Sequence, residues 1–305
     1  MFAAFNNGSA PWLQKVLRHR AWLVVGLTIL VVLVVRVRLR DMPLERDEGE
    51  YAYAGQLMLQ GVPPYVATYT MKLPGTFAAY ALIMAVFGQS PAGIHLGLAL
   101  VNVASIILVF LLGRKLLDTA TAVAAAVAFA LLSLSPSVLG LAAHATHFVM
   151  LAALGGTLLL LRGCGGEVQS PKSKVQSQPP ASHITGSLNP QLFVAGLLFG
   201  LAFLMKQHGL FFGLFGALYL LRVRVDEWLA AASVKSQQPG IRSLRERKAV
   251  DFASPAARAG RNRLIRDLAL FGLGGLLPYG LACVVLWWAG AFHHVLRHVF
   301  VRVGV

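Results

Sequence analysis

Three carboxylates and a phenol fall within five consecutive residues, Asp47-Glu48-Gly49-Glu50-Tyr51. At helical spacing Asp47, Glu50 and Tyr51 share one side, and Glu48 points to another. A carboxylate held in place can take the proton of a weak nucleophile, so the pattern permits general-base chemistry. It equally suits a capped helix start, because Asp is a good N-cap and acids meet the positive end of the helix dipole. The segment alone does not separate the two. Asp41 and Glu45, just upstream, read as partners that balance Arg36, Arg38 and Arg40.

Other polar positions stand out against an apolar background. Lys72, in TMKLPG, is either a point charge for a phosphate or a lysine that snorkels to the surface. His144 and His147, in AHATHF, are spaced to share a helix face. Two histidines without carboxylate or cysteine neighbours make a poor metal site, which leaves hydrogen bonding to a polar substrate or a self-satisfied interfacial pair. Lys206 sits between two short apolar pieces and must face water or an anion. His293, His294, Arg297 and His298 follow the last apolar run and read as an interfacial helix, with Arg297 kept as a candidate substrate contact.

The elements that must position these residues are membrane helices. The chain is 57% hydrophobic and only 13% charged, and its apolar runs recur, which excludes an ordinary soluble domain. The predicted fold is an all-α, multi-span helical bundle forming a single membrane domain over 1–305. Its net charge of +15 lies mostly between apolar runs, so it reads as topology rather than nucleic-acid binding. Two cysteines, Cys164 and Cys283, suggest neither a disulfide framework nor a metal site.

Counting charges orders the spans. Lys15, Arg18 and Arg20 before the first span (21–38) put the N-terminus inside and the 41–91 loop outside. The apolar piece Thr76–Phe87 reaches only about 18 Å as a helix, short of the roughly 30 Å hydrocarbon core. It therefore reads as an interfacial helix of the outer loop, which leaves Arg114 and Lys115 inside after the next span. Residues 92–161 hold three spans, near 92–112, 120–138 and 143–161. A cytoplasmic loop (162–190) follows, and its composition reads as disordered. Then come a short hairpin (191–221) with Lys206 at its outer tip, a basic cytoplasmic loop (222–266) and a last span (267–289). The basic loop carries eleven Lys or Arg against four acids, the strongest positive-inside signal in the chain.

The ordered set DEGEYAYAGQLMLQG, MKLPGTFAAYALIMAVFG, LLGRKL and GLLFGLAFLMKQHG resembles polyprenyl-phosphate-sugar glycosyltransferases of the GT-C fold. That group contains the protein O-mannosyltransferases and the lipid A aminoarabinose transferase. The resemblance covers most of residues 20–300. It implies that Asp47 is the catalytic carboxylate and Glu48 its family-typical neighbour. It also implies that Lys72 and Lys206 hold the donor phosphate, with Glu50, Tyr51, His144, His147 and Arg297 as further donor or substrate contacts. His147 stands where relatives commonly carry an acid, and the family's Lys-Pro is Lys-Leu-Pro here.

The resemblance thus implies an inverting transfer of a sugar from a polyprenyl-phosphate donor to a protein, lipid or glycan acceptor, at the outer face of the cell membrane. It fixes no cofactor and leaves room for a divalent metal. The partners it implies are the donor, membrane lipids and the acceptor, with no nucleic acid. A transporter or flippase is the alternative, but it would show ionisable residues near mid-span and internal repeats. The spans are apolar apart from Asn102 and small hydroxyls, and no repeat is seen. A non-catalytic scaffold is the third reading. Relatives usually continue with more spans, so the chain reads as a fragment or as a minimal module needing a partner.

Overall fold

A computed structural model describes residues 11–68, 70–165, 189–234, 249–250, 252 and 254–295. The chain is an all-α membrane helical bundle. Its elements are α1 (Pro11–Arg38), α2 (Arg46–Leu59), α3 (Gly75–Phe87), α4 (Pro91–Leu116), α5 (Thr119–Leu132), α6 (Ala145–Gly163), α7 (Pro190–Met205), α8 (Gly209–Ala232), α9 (Pro255–Trp288) and α10 (Phe292–Val295). The exception is a two-residue antiparallel pairing of β1 (Ser233–Val234) with β2 (Ala249–Val250).

Four described segments are long and apolar enough to cross a membrane: His19–Arg38 within α1, and α4, α6 and α9. α3, α5 and α7 are apolar but shorter. Local sequence explains where most of these helices start. Ser90, Asp118, Asn189 and Ser254 each cap a helix by accepting a backbone N–H, and proline follows all but Asp118. α5 stops at Leu132, short of the 138 expected. Pro136 disfavours a helical Ser135, and the Ser133 carbonyl is turned to the Arg36 guanidinium.

Packing is closest between α7 and α9. A side chain at Gly196 or Gly200 would run into the backbone of Phe271 or Gly275, and one at Gly274 into the Phe193 carbonyl. Small residues thus let the two helix backbones touch, as membrane helices without a hydrophobic driving force require. Gly209 meets the Ala202 carbonyl in the same way, folding α8 back on α7. Gly75 sits against Leu204, and the Thr76 hydroxyl donates to the Met205 carbonyl at 2.8 Å, which joins the start of α3 to the end of α7.

Residues 222–266 are less of a loop than their charge suggests. α8 continues to Ala232 and α9 begins at Pro255, twelve residues before the span expected to start at 267. Among the described residues, charges at the two ends of this stretch are paired between helices. Arg224 is 1% exposed, and contacts Glu227 at 2.7 Å, Asp267 at 2.9 Å and the Gly163 carbonyl at 3.2 Å. Arg222–Asp226 and Arg263–Asp267 add i,i+4 contacts, which support helix past the apolar stretch. This cluster ties α6, α8 and α9 at one end of the bundle.

The opposite end gathers the C-terminal turns of α1 and α7, the starts of α2, α4 and α6, and the loop before α3. An aromatic core of Tyr51, Tyr65, Phe77, Tyr80 and Phe148 lies just beneath. Ring contacts of 5.4 Å (Tyr51–Tyr80) and 6.1 Å (Tyr51–Phe77, Tyr80–Phe148) make a rigid floor there.

Candidate active site

The site begins with the N-terminus of α2. Glu45 caps that helix by accepting the Asp47 N–H at 2.7 Å, and the Glu48 carboxylate returns to the Glu45 N–H at 2.9 Å. This reciprocal box orients the first turn. Glu48 faces inward and is 1% exposed, while Asp47 and Glu50 face outward.

Asp47 is held by two cations and a histidine. Lys72 Nζ lies 3.4 Å from Oδ1, Arg46 Nη2 3.4 Å from the same oxygen, and His144 Nε2 3.5 Å from Oδ2. Burial alone would raise the Asp47 pKa. Lys72, by charge and hydrogen bond, then Arg46 and His144 outweigh it and bring the carboxyl below its usual range.

Lys72 is itself positioned from several sides. Its ammonium donates to Glu50 Oε2 at 2.7 Å and sits 4.4 Å over the centre of the Tyr51 ring. Thr70 donates to the other Glu50 oxygen at 2.7 Å. The backbone is fixed by Tyr65, whose hydroxyl donates to the Lys72 carbonyl at 2.8 Å. Tyr65 adopts φ 71°, a left-handed conformation costly for a bulky residue, and burial of its ring in the aromatic core helps hold it. Burial would lower the Lys72 pKa, but Glu50, Tyr51 and Asp47 raise it above the ordinary value, so the ammonium stays charged at any physiological pH.

His144 caps α6. Its Nδ1 faces the Thr146 backbone N–H at 3.5 Å, which leaves Nε2 to carry the proton toward Asp47. Burial, then the charge of Lys206, lower the His144 pKa against the opposing pull of Asp47 and Glu45. Lys206 is therefore close enough to act on the site. It closes α7, and among the described residues it has no ion pair. Gln207 ties the adjoining turn to the Lys72 loop by donating to the Met71 carbonyl at 3.1 Å.

The structure thus brings Asp47, Glu50, Tyr51, Lys72, His144 and Lys206 together. His147 does not join them. Its Nε2 contacts the Leu139 carbonyl at 3.2 Å, one helical turn away from the Asp47 contact. Glu48 lies beneath the site, with both oxygens engaged by backbone N–H groups, those of Ala143 and Glu45. Arg297 lies outside the described residues. Among those residues no three His, Cys, Asp or Glu side chains are placed to hold a metal ion.

Three buried groups at this end escaped the sequence reading. Arg36, 4% exposed, donates through Nη2 to the Ser133 and Gly140 carbonyls, both at 2.8 Å. His95, 5% exposed, contacts the Arg40 carbonyl at 2.7 Å and Glu48 Oε1 at 3.3 Å. Tyr80 donates to the Ala143 carbonyl at 2.7 Å. Arg36 was visible in sequence only as one of three arginines at a span end, and His95 only as a lone histidine in an apolar run.

Comparison with known families matches residues 52–167 to the family described as dolichyl-phosphate-mannose-protein mannosyltransferase. Over that stretch the chain is similar to a protein mannosyltransferase. The mannosyltransferase-like stretch is less than half of the chain. It takes in most of α2, the Lys72 loop and α3 to α6, and so includes Tyr65, Lys72, His95 and His144. It begins five residues after Asp47, and Lys206 lies beyond it. Together with the helical membrane architecture, the match supports a membrane glycosyltransferase of GT-C type. Neither the curated proteins nor the solved structures gave a match.

Proposed function

We propose that the chain transfers a sugar from a polyprenyl-phosphate donor to an acceptor hydroxyl, with Asp47 as the general base. The observation that carries this is one partly exposed carboxylate, Asp47, paired with Lys72 and touching His144, whose ring also feels the charge of Lys206, a lysine with no ion pair among the described residues. A lysine without a counter-ion beside such a carboxylate-histidine pair is suited to a leaving group that carries negative charge, such as a phosphate. The mannosyltransferase-like stretch makes mannose the first sugar to test.

In the proposed step the acceptor oxygen attacks the anomeric carbon as the bond from that carbon to the donor phosphate oxygen breaks. The acceptor proton passes to Asp47. The lipid phosphate leaves with its charge matched by Lys72 and Lys206. One displacement inverts the anomeric centre.

The resting carboxylate is a weak base because Lys72 stabilises its charge. A donor phosphate drawn to Lys72 offsets that lysine, and Asp47 becomes more basic when the substrate is in place. The Nε2–H of His144 keeps one Asp47 oxygen oriented, leaving the other for the acceptor. Glu50 holds Lys72 through 2.7 Å of hydrogen bond and acts on the ammonium, not on the sugar. Glu48, buried and fully bonded, supports the turn.

An outer position for this end of the bundle is supported by charge counting, since the arginines of α8 and α9 and the Arg114–Lys115 pair belong to the other end. A lipid-linked donor would then present its phosphate at headgroup level. Incubating membranes that contain the chain with radiolabelled polyprenyl-phosphate sugars, mannose first, tests the proposal. Label should pass from the lipid fraction to an acceptor, and donors that keep their label in every case would contradict it.

A further inference from the structure

Asp47 and His144 meet although they are far apart in sequence, and each has a buried neighbour that makes a second connection. Glu48, which follows Asp47, accepts the backbone N–H of Ala143, which precedes His144. This bond fixes the α2 and α6 starts one residue behind the contact between Asp47 and His144. Glu48 is too buried to reach a substrate, and its own placement requires a partner for a carboxylate taken out of water.

His95 supplies that partner. Its Nδ1 lies 2.7 Å from the Arg40 carbonyl, and its Nε2 lies 3.3 Å from Glu48 Oε1. A carbonyl and a carboxylate oxygen can only accept, so the two contacts suit a ring carrying protons on both nitrogens. The Nε2 contact is an ion pair at a slant rather than an aligned hydrogen bond. One side chain of α4 thus fastens the chain leaving α1, the first turn of α2 and, through Glu48, the residue before His144.

We propose that His95 is a positioning residue of the active site, holding Glu48 so that the Glu48–Ala143 bond sets Asp47 against His144. Its catalytic consequence rests on the reading of Asp47 as the base, whereas its geometric content does not. Arg36 and Tyr80 secure the same segment through the Gly140 and Ala143 carbonyls, but neither touches the carboxylate. Removing His95 therefore releases the register of the site while the Arg36 and Tyr80 bonds still hold the segment before α6.

The test compares wild type, His95→Leu and His95→Gln as full chains in lipid nanodiscs. The first readout needs no activity: the imidazole nitrogen signals of His144 in histidine-labelled protein, assigned with His144→Gln. In wild type Nε2 should carry the proton. His95→Leu, which strands the Glu48 carboxylate, should shift the His144 signals, and His95→Gln, which keeps a donor toward Glu48, should restore them at least in part. Unchanged His144 signals in a folded His95→Leu protein would overturn the proposal. So would an equal shift in both variants, since loss of packing alone predicts that. If His95→Leu does not fold, the proposal stands or falls on whether His95→Gln keeps the wild-type His144 signals. The second readout is transfer from polyprenyl-phosphate mannose. Misplacement of a reacting group on the ångström scale costs about 100-fold, so kcat of His95→Leu should fall by that order with the donor KM unchanged. A rise in KM at constant kcat would count against positioning. If wild type transfers nothing from any donor, the glycosyltransferase function fails, while the His144 signals still decide the role of His95.

Discussion

Lys72 Nζ lies 3.4 Å from Asp47 Oδ1, and the same ammonium is bound more tightly, at 2.7 Å, by Glu50. Lys72 is therefore a shared cation, anchored by one acid and lowering the pKa of the other. Replacing it with Gln removes the largest favourable influence on the Asp47 carboxylate. A depressed carboxyl pKa keeps the base ionised to low pH, so its loss moves the acidic limb of kcat/KM to higher pH. Measuring that limb in Lys72→Gln should show the upward shift. Donor KM should rise in the same variant, and also in Lys206→Ala, whose acidic limb should move less.

His144 and His147 should part company. His144→Ala loses the contact that orients Asp47, and transfer should fall about 100-fold, the low end of the range for losing a group that assists proton transfer. His147→Ala loses only a bond to the Leu139 carbonyl. It should retain kcat and lose about 1 kcal/mol of stability. Initial rates and thermal unfolding of the two variants side by side check both parts.

Much of the site was legible because charges among apolar residues are conspicuous. Asp47, Lys72, His144 and Lys206 each sit where a helix meets a polar loop, so patterning alone marks them. The division of labour among the three acids was not legible. It depends on the Glu45–Glu48 capping box, which lacks the Ser or Thr that signals such a box in sequence. His95 and Tyr65 were hidden for another reason. A buried histidine satisfied by tertiary partners looks like any other in sequence, and a left-handed tyrosine carries no local signature. The charges of α8 and α9 pull in the opposite direction, since pairing between helices carries helix into both ends of a stretch whose composition reads as a loop.

The two glycines of α2 should respond oppositely to Ala. At Gly55 a Cβ would lie 2.7 Å from Met84 Cε and 3.0 Å from the Ala81 nitrogen, so the glycine lets α2 meet α3. Nothing lies within 4 Å of a Cβ at Gly49. Gly49→Ala should stabilise by about 0.5–1 kcal/mol, the helix-propensity gain. Gly55→Ala should destabilise by about 1–3 kcal/mol through overpacking. Thermal unfolding in one detergent compares them directly.

The buried Arg224–Asp267 pair gives a test at the far end. Asp267→Leu removes one of the two carboxylates on a guanidinium that is 1% exposed, leaving Glu227, and should cost about 1.5–3 kcal/mol, as for a lost hydrogen bond to a charged group. Arg224→Met combined with Asp267→Leu should recover much of that loss, because an apolar pair no longer needs solvation. Failure of the double variant to exceed the single one in thermal stability would show that the pair does not act as a unit.

The most direct test of Asp47 as the base uses Asp47→Asn in membranes supplied with polyprenyl-phosphate mannose carrying a radiolabel. The amide keeps the size of the side chain and cannot accept the acceptor's proton. The expected result is normal membrane insertion and retained donor binding, with transfer of label lost. Transfer at the wild-type rate by this variant would contradict the account.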